Sequence, residues 1–150
     1  MKTASGILVY AALLTACMPG PESARGFRLP DGDADRGLAA FTELECHACH
    51  SVEGLELEYL GTGAADVKLG GTVTRVKTYG ELVTSIINPS HKLAPSYRRD
   101  EVSTDGESLM TLASVNDVMT VQQLIDLVAF LQTRYEVVPP QYDPYGYVYP

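Results

Sequence analysis

The sequence predicts an all-α domain of three main helices joined by long loops. Three stretches place apolar residues at helical spacing, each behind a helix-start signal. The segments between them are glycine-rich or aperiodic, and no βαβ pattern is visible. A C-x-x-C-H motif follows directly on the first helical stretch.

The first helix is expected from about Asp33 to Glu45. Asp31, Asp33 and Asp35 suit its N-terminus, where carboxylates meet free N–H groups and the positive end of the dipole. Leu38, Phe41 and Leu44 form a one-sided apolar stripe that delivers the chain into Cys46. Residues 51–77 are irregular, with G-T-G at 61–63 and L-G-G at 69–71, and predict a loop. T-Y-G-E at 78–81 is a capping-box pattern, with Thr78 as cap and Glu81 at the third helical position. Leu82, Val83, Ile86 and Ile87 supply the buried face of this middle helix, and Asn88-Pro89 stops it. Residues 90–119 predict a long loop, which in a compact domain needs a reason such as holding a ligand. The last helix opens with a second capping box, Thr120 to Gln123. Val121, Leu124, Ile125, Val128 and Leu131 repeat along it to about Tyr135, and Val138-Pro139-Pro140 breaks it.

The chain has 150 residues, 45% hydrophobic and 20% charged, which suits one ordinary globular domain with a leader and tails. A net charge of -8 repels phosphates, so nucleic acid is excluded as a partner. It favours protein partners with a basic docking patch, or simply solubility.

Lys2 and the short apolar run from Ile7 to Leu14 form a secretory signal peptide, too short to span a bilayer. Leu14-Thr15-Ala16-Cys17 resembles the lipobox of bacterial lipoproteins. The resemblance implies cleavage before Cys17 and attachment of a diacylglycerol to its thiol. An ordinary signal peptide with an incidental cysteine is the alternative. Residues 1–16 are then the leader, and 17–30, rich in proline and glycine, a lipidated N-terminus and tether. The domain occupies 31–136, and 137–150 form a Tyr/Pro-rich tail. That tail is expected to be mobile or packed on the surface, with docking to a partner through its tyrosines as the sharper reading.

Cys46-His47-Ala48-Cys49-His50 is the attachment motif of haem c. Each thiol adds to one haem vinyl group, and the adjacent histidine lies under the iron as an axial ligand. One covalent haem is therefore expected, held by Cys46 and Cys49 with His50 on the iron. With Cys17 lipidated, no cysteine remains for a structural disulfide. A thioredoxin-type pair would need a βαβ context, and a zinc site usually needs a second ligand pair, for which only His47 and His91 stand near to hand. His47, inside the motif, is expected as an exposed filler. His50 is expected to donate its other ring nitrogen to a backbone carbonyl.

The run G-D-A-D-R-G-L-A-A-F-x-x-L-x-C-H-A-C-H resembles the opening helix of class I c-type cytochromes. V-x-x-V-K-T-Y-G-E-L-V-x-S-I-I-N-P resembles their middle helix, and T-V-Q-Q-L-I-D-L-V-A-F-L their closing helix. The resemblance covers residues 31–135 and implies the cytochrome c fold, with the long loops wrapped around the haem. It implies that Gly37 and Phe41 on the first helix pack against Phe130 on the last, and that Arg75, Lys77 and Tyr79 lie where haem propionates find partners. It also implies a methionine sixth ligand from the loop before the last helix, which favours ferrous iron and raises the potential. Met110 fits that place, although Thr111 stands where the family commonly has proline. Met119 sits at N′ of the last helix, where it staples to Leu124. His91, Met119 or an open position are the alternatives.

The function so expected is one-electron transfer between redox partner proteins, not catalysis. The chain serves as a free carrier or as the cytochrome subunit or acceptor of a dehydrogenase. If the sixth position is open, a haem gas sensor or a peroxidase is the alternative. The lipid would anchor the domain to a membrane of the cell envelope, facing the periplasm or exterior. Met18 in place of a retention aspartate leans toward the outer membrane.

Overall fold

The computed structural model describes residues 29–58, 60, 66–111, 115 and 117–138. The expected leader, Cys17, most of the tether and residues 139–150 of the tail lie outside the described residues.

Helix α1 spans Ala34–Glu43, and the Asp33 carboxylate caps it by accepting from the Arg36 N–H at 2.9 Å. It ends two residues before the expected Glu45. Glu45 adopts the left-handed conformation, φ 55°, and the chain reverses into a 3-10 turn, Cys46–Ala48. Helix α2, Tyr79–Ile87, carries the expected capping box in full: Glu81 N–H donates to Thr78 Oγ1, and Thr78 N–H donates to the Glu81 carboxylate. Its continuation past Asn88 is a 3-10 turn, Pro89–His91.

The stretch expected as one long loop carries short secondary structure among its described residues. It holds a short helix α3, Arg99–Val102, and the antiparallel pair β2, Ser103–Thr104, and β3, Glu107–Ser108. Asp105 and Gly106 join the two strands with φ of 52° and 85°. Two positive φ values at an Asp-Gly pair are the demand of a tight hairpin turn, and only glycine meets the second without strain.

Helix α4, Val121–Gln132, is capped by Thr120 with the expected box to Gln123. Met119 and Leu124 both pack on the core, as a staple requires. The helix ends at Gln132, not near Tyr135. Tyr135–Val137 forms β4, parallel to β1, Gly71–Val73, with Val73 opposite Val137. The boundary drawn between residues 136 and 137 thus falls within a strand. The long elements are helical, and the two small sheets add short strands in the expected loops and at the expected end of the last helix.

The core centres on the crossing of α1 and α4. Phe41, Phe130 and Val128 are fully buried, joined by Leu82 and Val83 of α2. The Phe41 and Phe130 rings lie 5.7 Å apart at 54°, a tilted geometry that adds to the ~1.5–3 kcal/mol from burying each ring. Gly37 sits at the crossing itself: a Cβ there would overlap the Asp126 carbonyl oxygen and come within 2.6 Å of Phe130 Cβ. Absence of that carbon lets the two backbones touch. Gly37, Phe41 and Phe130 therefore meet at one place. This crossing fixes α1, and α1 fixes the start of the C-x-x-C-H turn.

Candidate functional site

The motif is wound tightly. The Cys46 carbonyl accepts from the N–H groups of both Cys49 and His50, at 3.3 and 3.1 Å. Cys46 packs against the core and its Sγ lies 4.0 Å from the Leu44 carbonyl. Cys46 and Cys49 are not joined in a disulfide. Burial pushes the Cys46 thiol up to about 11. A redox-active C-x-x-C pair has the reverse property, a depressed thiol. Among the described residues, no three His, Cys, Asp or Glu side chains gather as a metal-holding group.

Residues 66–69 run beside the motif and are stitched to it. Val67 N–H donates to the Cys49 carbonyl at 2.9 Å and Leu69 N–H to the Ser51 carbonyl at 2.8 Å. Asp66 accepts from the Ser51 N–H and hydroxyl at 2.8 and 3.0 Å. These contacts put the Val67 carbonyl 3.0 Å from His50 Nδ1. A carbonyl only accepts, so Nδ1 carries the hydrogen and Nε2 keeps its lone pair. Burial lowers the proton affinity of His50, while the Val67 carbonyl and the Asp66 charge oppose that shift. The imidazole is thereby held neutral in the tautomer that ligates metal through Nε2.

His47 is a correction. Expected exposed, it is 8% exposed, and its Nδ1 has no hydrogen-bond partner among the described residues. The reversal at Glu45 winds residues 46–48 into a turn, so the position inside the motif does not project as a surface filler.

Met110 follows β3, half-buried, with its N–H donating to Ser108 Oγ at 3.1 Å. It lines a shallow cavity of about 330 Å³ with Ile87, Pro89, Ser90 and Glu107. Neither His50 nor either motif cysteine lines that cavity. His91 is exposed on its 3-10 turn, and Met119 packs on the core ahead of α4. Arg75 pairs with Glu81 at 2.7 Å. Tyr79 packs against the core with its hydroxyl buried and unpartnered among the described residues.

Three participants carried no signal that sequence reading used. The Val67 carbonyl is backbone and has no residue signature. Asp66 and Tyr97 are ordinary loop residues until the fold brings Asp66 to Ser51 and the Tyr97 hydroxyl to the Lys68 N–H, at 2.9 Å. No protein family matches the chain, and no curated protein or solved structure matches it either.

Proposed function

We propose that the chain is a one-electron carrier of the bacterial cell envelope, with one haem c attached through Cys46 and Cys49, in the manner of class I c-type cytochromes. The observation that carries this reading is the bond between His50 Nδ1 and the Val67 carbonyl, 3.0 Å, one residue after a C-x-x-C pair. It fixes a neutral imidazole with Nε2 ready to ligate, which is what an axial histidine needs. The raised Cys46 thiol favours thioether attachment over disulfide exchange.

When bound, the haem supplies one-electron chemistry at an iron that alternates between ferrous and ferric. The chain's own residues hold and tune it. Cys46 and Cys49 anchor it covalently, and His50 provides one axial ligand. Apolar side chains beside the motif, Leu44, Leu55 and Leu69, pack on the core while staying part-exposed, and offer an apolar bed for a flat ring system. Met110 is proposed as the second axial ligand. Lipidation at Cys17 would hold the domain at a membrane facing the periplasm or exterior, the outer membrane favoured. The acidic surface would meet basic patches on donor and acceptor proteins.

A second reading rests on Met110. It lines a cavity apart from the motif, which favours an open sixth position and a gas-binding or peroxide-reducing role. The absorption spectrum of the oxidised protein at neutral pH separates the two. A weak far-red sulfur-to-iron band supports methionine ligation and the carrier. A high-spin spectrum supports the open site.

A further inference from the structure

The Val67–Lys68 peptide group is hydrogen-bonded at both ends. Its carbonyl accepts from His50 Nδ1 at 3.0 Å, and its N–H donates to Tyr97 Oη at 2.9 Å. We propose that Tyr97 is a positioning residue for His50, acting through this single amide to strengthen the imidazole as a ligand. The inference rests on the reading of His50 as an axial ligand and names what tunes it.

The physical chain has three links. An amide whose N–H is donating has a more polarised carbonyl, because hydrogen bonds in series reinforce one another. A more polarised carbonyl draws harder on the Nδ1 hydrogen. The ring then gains anionic character and Nε2 becomes a stronger donor, which stabilises the oxidised iron and lowers the potential.

The placement is specific. Among the described residues, the other backbone contacts of this segment come from the motif and the residues just after it: Cys49, Ser51, Glu53 and, through the Asp66 side chain, Ser51 again. Tyr97 approaches from elsewhere, on the turn closed by its own N–H to the Ala94 carbonyl at 3.3 Å. Tyr97 is half-buried, which limits the freedom of its ring, while its bond to the Lys68 N–H lies at the surface. Tyr97 therefore links the 90–111 region, otherwise distant in sequence, to the ring of His50.

The test compares full-length wild type and Tyr97→Phe, both produced in a host that matures c-type cytochromes. The midpoint potential and the exchange rate of the Lys68 amide are read on each, with the His50 Nδ1–H resonance as a third readout. The expected result is a higher potential, several-fold faster exchange at Lys68, and an upfield move of the Nδ1–H resonance. Faster exchange with an unchanged potential makes Tyr97 merely structural and overturns the proposal. If Tyr97→Phe does not fold, 3-fluorotyrosine at position 97 keeps the shape and weakens the acceptor. A raised potential then supports the proposal, and an unchanged one overturns it. If wild type itself carries no covalent haem, the carrier reading falls and takes this inference with it. If wild type carries haem and only the potential fails to respond, the carrier reading stands and this inference alone falls.

Discussion

The guanidinium of Arg36 on α1 grips the carboxylate of Asp126 on α4, with Nε 2.8 Å from Oδ2 and Nη2 3.0 Å from Oδ1. The same carboxylate accepts from the Asp33 N–H at 2.8 Å and from Gln122 at 3.0 Å. One acidic side chain thus ties the N-cap of α1, its first turn and the middle of α4 together. Because α1 leads into the motif, this clamp and the Gly37–Phe130 contact below it set where Cys46 begins.

Acid should loosen the clamp. The Arg36 guanidinium and the Asp33 N–H hold the Asp126 carboxyl down to about 2, from an ordinary value of 3.8. A depressed folded value means that the stabilisation is whole above the unfolded value and is lost as pH falls through the folded one. Wild type is expected to lose stability between about pH 4 and pH 2. Glu81, also held at about 2 by Thr78 and Arg75, contributes in the same window. The difference between wild type and Asp126→Asn in urea melts across this range isolates the clamp. Asp126→Asn should be less stable at neutral pH and lose less on acidification.

Gly37→Ala should part the helices. The new Cβ has no room beside the Asp126 carbonyl and Phe130 Cβ, and both helix backbones are stiff. A cost of ~1–3 kcal/mol, toward the upper end, is expected from overpacking of this kind. Chemical denaturation reads it, and a loss below a few tenths would show that the crossing is looser than the contacts imply.

Thr120→Ala removes the side chain that accepts from the Gln123 N–H at 3.1 Å. The expected loss is about 1 kcal/mol, the usual worth of an N-cap. Thr120→Ser keeps the acceptor and should stay close to wild type in the same melts.

Much of this was legible in the sequence because it rests on local chemistry. The caps at Thr78 and Thr120 depend only on residues three apart. Phe41 sits on the Leu38, Phe41 and Leu44 stripe that helical period exposes, whereas the place of Gly37 at the crossing came from the family resemblance. The end of α1 was not legible: Glu45 takes a left-handed backbone with no glycine to announce it. The Asp105-Gly106 hairpin did carry a signal, the Asp-Gly pair, which the lack of periodicity around it hid. The pairing of β1 with β4 had none, since a three-residue strand is too short to show alternation. At the site, the motif announced Cys46, Cys49 and His50. The orienting carbonyl of Val67 and the burial of His47 are products of the fold.

Replacing the candidate sixth ligands one at a time should separate them. Met110→Ala is expected to abolish the far-red band of the oxidised protein and lower its potential, because a thioether favours ferrous iron. His91→Ala should leave both unchanged. A low-spin wild type without the band, whose spectrum and potential change only in His91→Ala, would assign the ligand to His91, and no change in either variant would point to Met119 or an open site.

Cys46 and Cys49 are proposed to carry one haem through thioether bonds. The most direct test is the intact mass of the full chain under denaturing conditions, after production in a host that matures c-type cytochromes. The expected mass is higher than the polypeptide by one haem, a gain that is lost in Cys46→Ala/Cys49→Ala. A wild-type mass equal to the bare polypeptide, with no haem absorbance after denaturation, would contradict it.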